Sequence, residues 1–297
     1  MHTPLVAIII LNWNGKEDTI KCLESMHAVT YANYDIMIVD NGSTDGSVVC
    51  LRERYPEIDI IENTQNLGFA GGNNVGITKA MDRSADYVLL LNNDVVVDLE
   101  FLQELVDVAE SDQEVGFVGP KIYYESYKGK RDVIEFAGAR LNIRRGDSRH
   151  IGQNEADVGQ HDKIREVDYI TGACLLVKKE VIRKIGLIDP VYFMYWEDAD
   201  WQIRGKKMGY KSVYVPASKV WHKISAASGG ETKAYFLTRN RFLFMKKNFS
   251  RSAYLSFLIY FFMLHFGLES GLHILVHNSP KTFSAFCKGV IDGLKIT

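Results

Sequence analysis

Short apolar runs alternate along this chain with polar loops and with stretches whose apolar residues recur at helical spacing. Uncharged, β-branched runs of this kind are typical of strands buried on both faces of a parallel sheet. The pattern predicts strands at residues 5–11, 35–39, 58–61, 87–91 and 115–119. It predicts helices between them at residues 16–26, 47–55, 75–82 and 99–111. Repeated strand and helix units predict an α/β fold with a doubly wound, mostly parallel sheet.

The pattern weakens between residues 121 and 166, which are rich in Arg, Gly and Asp. Alternating pieces at 133–136 and 139–143 predict an antiparallel β-hairpin insertion there. The regular pattern then returns, with a sheet segment at 169–177, helices at 179–185 and from the 197–201 cluster to residue 208, and a strand at 211–215. The folded core is expected to close around residues 220–222.

Residues 252–268 contain no Asp, Glu, Lys or Arg and follow the basic residues Lys246, Lys247 and Arg251. A bilayer span needs about 20 apolar residues, so this segment is slightly short. It predicts a helix that lies on a membrane or crosses it, beside anionic headgroups. A buried helix and a dimer contact are the alternatives. The chain is therefore divided into a folded domain at 1–248 and a membrane-associating helical tail at 249–297.

Charge and cysteine content narrow the class of protein. Lys and Arg total 35 against 37 for Asp and Glu, which gives no sign of a nucleic-acid-binding surface. The four cysteines are far apart and form no CxxC pair, as expected for reduced thiols in the cytoplasm. The apolar N-terminal run lacks a basic region and a small-residue cleavage site, so it is interpreted as the first strand rather than as a signal peptide.

Polar clusters follow four of the predicted strands or open the next helix, at residues 12–15, 40–46, 66–74 and 92–94. Each alone is compatible with simple turn chemistry. Four in succession predict one crevice at the carboxyl edge of the sheet, where a nucleotide is the natural ligand. A nicotinamide dinucleotide is disfavoured because the glycine-rich turn comes too late in the chain. A nucleotidyltransferase is disfavoured because no basic glycine-rich loop follows the first strand.

The motifs LNWNG, VDNGSTDGS, NLGFAGGNN, LLLNNDV, WEDAD and VWH occur in this order. As a set they resemble the family 2 glycosyltransferases of GT-A fold, over roughly residues 5–245. The segment GACLLVKKEV and residues 193–204 are most similar to rhamnosyltransferase-like members. The resemblance implies a GT-A domain that uses a nucleotide-sugar donor.

The resemblance also implies roles for individual residues. Asn12 and Asp40 would contact the nucleotide base or ribose, and Asn73 would face the ribose or diphosphate. Further substrate contacts are expected at Asn14, Asn92 and Asn93. Apart from the resemblance, the glycine-rich stretch that begins at Gly68 allows close approach of a ribose or diphosphate. Trp196 could stack on an acceptor sugar, with a place in the core as the alternative. The DxD motif of the family corresponds to Asn92-Asn93-Asp94, so this chain keeps only the last carboxylate.

A divalent metal, Mg²⁺ or Mn²⁺, is therefore expected to depend mainly on Asp94, which it would bridge to the donor diphosphate. His222 in VWH matches a position that adds an imidazole ligand in some relatives and only donates a hydrogen bond in others. The catalytic base of the family falls in the carboxylate cluster and is assigned to Asp198, supported by Glu197. Asp200 is an alternative, although it could be no more than a favourable charge in the first helical turn.

Two further features, a segment of small residues and a pair of arginines, each allow two interpretations. Residues 225–230 have the composition of a mobile lid but could be a passive linker. Arg239 and Arg241 are candidates for phosphate contact, with a solvated basic face as the alternative.

Together these expectations describe a cytoplasmic, inverting glycosyltransferase at the inner face of a membrane. It would transfer a sugar to a glycan or lipid-linked acceptor and could form a homodimer. The missing first carboxylate keeps a second hypothesis open, in which the chain is a nucleotide-sugar-binding or scaffold protein with degraded catalysis.

Overall fold

The computed structural model describes residues 3–83, 85–223, 230–273 and 279–296. The strands, in chain order, are β1 (Val6–Asn12), β2 (Tyr34–Asp40), β3 (Asp59–Glu62), β4 (Tyr87–Asn92), β5 (Val95–Val97), β6 (Val115–Tyr124), β7 (Ile134–Phe136), β8 (Ala139–Asn142), β9 (Asp147–His150), β10 (Arg165–Val167), β11 (Cys174–Lys178) and β12 (Lys211–His222). The α-helices are α1 (Lys16–Met26), α2 (Ser47–Arg54), α3 (Gly68–Asp82), α4 (Phe101–Ser111), α5 (Lys179–Ile185), α6 (Glu197–Lys207), α7 (Gly230–Asn248), α8 (Arg251–Tyr260), α9 (Phe266–Gly271) and α10 (Pro280–Lys295). A π-helical segment, Phe261–His265, joins α8 to α9.

A mixed sheet forms the centre of the molecule, with the strand order β10-β12-β6-β11-β4-β1-β2-β3. Strands β1, β2, β3, β4, β6 and β12 share one direction, whereas β5, β7, β10 and β11 run against them. The predicted α/β fold with a mostly parallel sheet is thus confirmed. Antiparallel β11 lies between β4 and β6, which the sequence pattern did not indicate.

The middle of the sheet brings the polar strand exits together. β1 pairs in parallel with both β2 and β4, and its residues Val6, Ile8, Ile9 and Ile10 are fully buried. β-branched side chains suit this position because they pack well on a pleated surface. In the register of these strands Asn12 lies beside Asp40, so the loops that follow begin at one edge of the sheet.

The glycine-rich segment predicted as a loop up to residue 74 is helical from Gly68 onward. Glycine disfavours helices by about 1 kcal/mol relative to alanine. Here this unfavourable free energy is offset by the close packing of α3 on β1. A Cβ atom at Gly72 would lie 2.5 Å from Cδ1 of Leu11, and one at Gly76 would lie 2.6 Å from Cγ2 of Ile9. The prediction was wrong because this packing is not local in sequence.

The insertion contains a β-hairpin, as predicted, but with different pairing. β8 pairs with β9 as a separate two-stranded antiparallel unit, and β7 pairs with β6 instead of β8. The predicted segment at 169–177 becomes a strand only at Cys174. The strand predicted at 211–215 extends to His222, with a register irregularity between Val215 and Lys219.

The C-terminal helices are built around α7. α10, which the sequence analysis did not identify, packs along α7, and α8 packs on the same helix. Phe242 of α7 meets Phe257 and Phe261 at ring-centroid distances of 5.1 and 4.8 Å. The division of the chain at residue 248 stays a prediction, since α10 returns to the helix before that point.

Candidate active site

Polar side chains at the exits of β1, β2 and β4 form one hydrogen-bonded cluster. Nδ2 of Asn12 donates to Oδ2 of Asp40 at 2.7 Å and to Oγ of Ser43 at 3.2 Å. Nδ2 of Asn93 donates to Oδ1 of Asn12 at 3.3 Å and to Oγ1 of Thr19 at 3.0 Å. The expected convergence of these loops is observed. Asn12 and Asp40 are only 0% and 2% exposed, so their contact with a nucleotide stays a prediction.

Asn41 connects the same cluster to the N-terminus of α3. Its Oδ1 accepts from the backbone N–H of Leu67 at 3.0 Å, and its Nδ2 donates to the carbonyl of Gly68 at 3.1 Å. Asn14 is exposed, and its Oδ1 accepts from the N–H of Thr44 at 2.8 Å. The four polar loops are therefore held in one arrangement by side-chain amides, which provide both donors and acceptors.

Asp94, His222 and Glu135 form a line of three titratable groups beside this cluster. Nε2 of His222, at the end of β12, lies 3.2 Å from Oδ1 of Asp94. Nδ1 of His222 lies 2.8 Å from Oε2 of Glu135, on β7. Burial lowers the pKa of His222, but the hydrogen bonds to Asp94 and Glu135 outweigh it and raise the pKa to about 10. As described, the imidazole is a cation bridging two carboxylates.

A divalent cation could take the place of the proton on Nε2 of His222 in this arrangement. Asp94 Oδ1 and His222 Nε2 have the spacing of neighbouring ligands, about 3 Å for metal–ligand bonds near 2.1 Å. A metal-bound histidine usually donates its second N–H to a carboxylate, which is the position of Glu135. Among the described residues no group of three His, Cys, Asp or Glu side chains could hold an ion unaided. A diphosphate and water would have to complete the ligand set, as is common for Mg²⁺.

Asp198 and Glu197 open helix α6 in different surroundings. Asp198 is half-buried and accepts from the N–H groups of Gly172 at 3.0 Å and Ala199 at 2.7 Å. Glu197 is buried, and its Oε2 has no hydrogen-bond partner in the described part of the chain. Burial raises the pKa of both carboxyls, and the charge of Asp198 raises that of Glu197 further. Of the two carboxyls, Glu197 therefore keeps its proton to the higher pH.

The segment before β11 places Asp198 at the same sheet edge as Asp94. The N–H of Gly172 donates to Asp198, while the carbonyl of the next residue, Ala173, accepts from the N–H of Asn92 at 2.9 Å. Asn92 ends β4, two residues before Asp94. Asp198 and the end of β4, which leads directly to Asp94, thus contact one short piece of chain.

Asp200 has no exposed surface and is held by four donors. These are the hydroxyl of Tyr192 at 3.0 Å, Nε of Arg204 at 3.0 Å, Nδ2 of Asn248 at 2.8 Å and Nζ of Lys247 at 2.9 Å. A carboxylate with so many internal partners is best explained as the anchor between α6 and the end of α7. Its alternative assignment as the base stays a prediction, and the geometry favours Asp198.

The turn that leads into α6 is conformationally strained. Three of its non-glycine residues have positive φ angles, Phe193 (63°), Tyr195 (67°) and Trp196 (71°). Such conformations cost about 1 kcal/mol or more each and persist only when neighbouring structure enforces them. Nδ2 of Asn240, fully buried on α7, lies 2.7–2.9 Å from the carbonyls of Tyr192, Met194 and Tyr195. Asn240 therefore holds the turn that presents Asp198.

Trp196 and Gly68 are also occupied by protein contacts. Nε1 of Trp196 donates to the carbonyl of Leu237 at 3.2 Å, and its ring packs on Phe244 at 4.9 Å. Gly68 has φ +75°, and a Cβ atom there would lie 2.5 Å from Phe193. Packing accounts for both residues without a ligand, and their substrate contacts stay predictions. Asn73 is likewise buried in α3 and donates to the carbonyl of Phe69 at 2.9 Å.

The basic residues of α7 contact protein in this structure. Arg239 donates to the carbonyls of Val191 and Tyr192. Arg241 is buried, and its Nε donates to the carbonyl of Gly146 at 2.6 Å. The solvated basic face offered as an alternative does not describe Arg241, and phosphate contact by either residue stays a prediction. Residues 225–229 of the predicted lid lie outside the described residues.

Sequence reasoning missed four residues of this site: Asn41, Glu135, Gly172 and Asn240. Asn41 directly follows Asp40 in the same motif and could have been included on that ground. The other three act through contacts between segments far apart in the chain, which no local pattern encodes.

Known proteins that resemble this chain are glycosyltransferases. Residues 7–186 match the family described as Glycosyl transferase family 2. The chain is 24% identical over 257 residues to the N-acetylglucosaminyl-diphospho-decaprenol L-rhamnosyltransferase of Mycobacterium tuberculosis, covering 80% of this chain and 82% of that one. It is 25% identical over 256 residues to the low-salt glycan biosynthesis hexosyltransferase Agl10 of Haloferax volcanii, covering 83% and 77%.

Among solved structures, the chain resembles the mannosyltransferase PcManGT from Pyrobaculum calidifontis in complex with GDP-Man and Mn²⁺. The TM-score is 0.59 at 15% identity, over 100% of this chain and 77% of that one. At this identity the likeness shows the GT-A fold alone. The family match spans more than half of the sequence and includes the strand exits that form the polar cluster. The chain therefore belongs to glycosyltransferase family 2.

Proposed function

We propose that this glycosyltransferase transfers its sugar with inversion, by a single displacement in which Asp198 is the base. The observation that carries the proposal is the position of Asp198, half-buried at the sheet edge and oriented by the N–H of Gly172. A base must remove the proton of the acceptor hydroxyl while that oxygen attacks C1 opposite the leaving diphosphate. We propose that Glu197 holds a proton, so that no second negative charge lies beside the carboxylate of Asp198.

The polar cluster at the exits of β1, β2 and β4 is the proposed site of the nucleotide. Asp94 and His222 would hold a divalent cation, with Glu135 orienting the imidazole. When bound, such a cation neutralises negative charge on the leaving nucleoside diphosphate. Mn²⁺ in the structure of PcManGT supports this choice of cofactor for the present chain.

The acceptor is proposed to be a sugar on a lipid diphosphate. This rests on the similarity to a rhamnosyltransferase whose name specifies a diphospho-decaprenol acceptor, and on the apolar helical segment after residue 250. By length and composition Arg251–Gly271 could cross a membrane. Because Phe257 of α8 and Phe261 of the π-helical segment pack against α7, we place the protein on the inner membrane surface rather than across it.

The test is turnover with a panel of nucleotide sugars and a detergent-dispersed prenyl-diphosphate-linked sugar. We expect nucleoside diphosphate release that requires acceptor and a product of inverted anomeric configuration by NMR. Asp198→Asn should lower kcat by about 10²–10⁴-fold with donor binding retained, because the amide cannot accept the proton. Asp35→Asn, an exposed carboxylate at the opposite edge of the sheet, serves as the matched control.

Two results would contradict the proposal. Near-normal turnover by Asp198→Asn would remove that residue as the base. Donor binding without transfer or donor hydrolysis by the wild-type protein would favour a nucleotide-sugar-binding protein with degraded catalysis. That second hypothesis is motivated by Asn92, which stands where the DxD motif of the family has its first carboxylate.

A further inference from the structure

Two of the three basic residues that precede the apolar tail in sequence, Lys246 and Lys247, form intramolecular contacts although they are exposed. Nζ of Lys247 forms ion pairs with Asp189 at 2.7 Å and Asp200 at 2.9 Å. Nζ of Lys246 donates to the carbonyl of Ile296 at 2.7 Å. Of the cluster expected to meet anionic headgroups, two members are thus engaged elsewhere. Arg251 is exposed, and further membrane-facing charge would have to come from another part of the chain.

The β8–β9 hairpin supplies that charge from more than a hundred residues upstream. Arg140, Arg144, Arg145 and Arg149 are all exposed on it, and Ile143 at its tip is 42% exposed. Within the described residues none of these four guanidinium groups lies in a salt bridge with a carboxylate. Arg140 and Arg149 are direct cross-strand partners. Like charges in that position destabilise a hairpin, which an external anion would relieve.

The hairpin tip is packed against the apolar helix. Oγ of Ser256 donates to the carbonyl of Arg144 at 3.4 Å, and the guanidinium of Arg145 lies 5.3 Å from the ring centre of Tyr260. A Cβ atom at Gly146 would lie 2.5 Å from Phe257, so the backbone of the tip approaches α8 closely. The arginines and the helix therefore belong to one surface.

The outer side of the segment from α8 to α9 is apolar and uncovered. Leu255, Ile259, Met263 and Leu268 recur at intervals of four or five residues and are 58%, 58%, 77% and 70% exposed. Exposed apolar residues in a contiguous strip usually mark a protein or membrane contact. A symmetric dimer would bring each patch against its own copy and crowd the arginines together. An anionic bilayer would cover the apolar strip and neutralise the arginines at once.

We propose that the arginine hairpin β8–β9 and the exposed side of α8–α9 form a two-part binding surface for an anionic lipid bilayer. The apolar strip enters the interface while the four arginines contact headgroup phosphates. The inference rests on the membrane attachment included in the proposed function, and it names the partner lipid class and the residues that recognise it.

This surface is connected to the catalytic carboxylates. The hydroxyl of Tyr169 donates to Oγ of Ser148 on β9 at 3.0 Å, and burial together with the negative charge of Asp198 raises the pKa of Tyr169. Arg241 donates to the hairpin carbonyl of Gly146, while its neighbour Asn240 holds the turn before α6. Docking of the hairpin on headgroups would therefore set the orientation of Asp198 relative to the bilayer.

The test is flotation of the full-length protein with vesicles of phosphatidylcholine alone and of phosphatidylcholine mixed with phosphatidylglycerol. The hairpin variant carries Arg140→Gln, Arg144→Gln, Arg145→Gln and Arg149→Gln. The control variant carries the same charge change at exposed arginines elsewhere, Arg52→Gln, Arg54→Gln, Arg83→Gln and Arg183→Gln. We expect the hairpin variant to lose roughly ten-fold or more in partition to anionic vesicles, and the control to bind like wild type.

A second measurement does not depend on the folding of any variant. Binding of the wild-type protein to anionic vesicles should weaken steeply with added NaCl, since exposed charges are screened.

Leu255→Ser combined with Met263→Ser should reduce binding to both vesicle types, because the apolar strip contacts either kind of bilayer.

Three outcomes would overturn the inference. They are equal binding of the hairpin variant and wild type, wild-type binding that is indifferent to phosphatidylglycerol and salt, and a stable dimer that does not bind vesicles. Flotation needs no turnover, so its failure would leave the transfer reaction intact. Loss of transfer with intact flotation would count against the proposed reaction alone.

Discussion

At the scale of single residues, Glu197 and Asp198 show how adjacent carboxylates acquire different roles. Asp198 keeps an open side and two backbone N–H partners, whereas Glu197 is enclosed with one oxygen unpartnered within the described residues. The sequence places both in the cluster WEDAD, where the family resemblance assigns the base to Asp198 with Glu197 in support, but it does not show the N–H of Gly172 that orients Asp198. Asp200, the alternative assignment from the sequence, differs through its four tertiary partners.

The raised pKa of Glu197 predicts a specific pH dependence of stability. A carboxyl whose folded pKa exceeds its unfolded value stabilises the protein below the unfolded pKa, and this stability is lost as pH rises through the folded pKa. Glu197→Gln should therefore raise the free energy of unfolding relative to wild type at pH 8, and the difference should shrink toward pH 4. The expected gain is about 1.4 kcal/mol for each pH unit between the two pKa values.

Urea denaturation at several pH values would measure this difference. Glu53→Gln, which makes the same chemical change at an exposed position on α2, is the control. A Glu197→Gln variant that is less stable than wild type at pH 8 would show that the native carboxylate is charged and stabilised, and would contradict the raised pKa.

At the scale of elements, local pattern and nonlocal packing account for different parts of the fold. The bounds of α1 and α5 match the predictions at 16–26 and 179–185, because an amphipathic stretch ended by turn residues defines a helix locally. The predicted start of α3 was too late, because the glycines that precede it pack against β1 in helical conformation. The predicted pairing of β7 was wrong, because its partner is β6. The polar residues at the strand exits were predictable. The role of Glu135 was not, because only the pairing of β7 with β6 brings it next to His222.

Helix α7 yields a prediction at this scale. Asn240→Ala removes the amide that contacts three carbonyls of the strained turn. We expect a loss of about 1–3 kcal/mol in stability. We also expect a fall in kcat with an almost unchanged KM for the donor, since the turn positions Asp198 and not the nucleotide loops.

The control for this positioning role is Asn248→Ala. Asn248 is also buried on α7 and donates to Asp200 at 2.8 Å, so its loss should lower stability to a similar degree. Steady-state kinetics measured well below the melting temperatures of both variants would distinguish Asn240→Ala from Asn248→Ala. Equal kcat values for the two variants would show that Asn240 has a purely structural role.

At the scale of the whole molecule, ligand binding should appear as a change in global stability. A ligand that binds only the folded state raises the melting temperature by mass action. We expect one nucleoside diphosphate from a panel to raise Tm with Mn²⁺ or Mg²⁺ and much less with chelator. Asp94→Ala should abolish the metal-dependent part, and Glu135→Gln should weaken metal affinity by about 10–100-fold by freeing the imidazole.

Differential scanning fluorimetry with metal titration would measure both effects. Asp107→Asn, an exposed carboxylate on α4, provides the control for the loss of one negative charge. A metal-dependent shift that survives Asp94→Ala would move the cation to other residues and refute the assignment of Asp94.

Adjacent residues of α7 reach in two directions, Asn240 to the turn before α6 and Arg241 to the tip of the hairpin. A rigid helix displaced at one contact must move the other. Residence on the membrane and order at the catalytic turn would then be reciprocally linked, each favouring the other by the same factor. On this view, an enzyme engaged with its acceptor should bind the bilayer more tightly than one without acceptor.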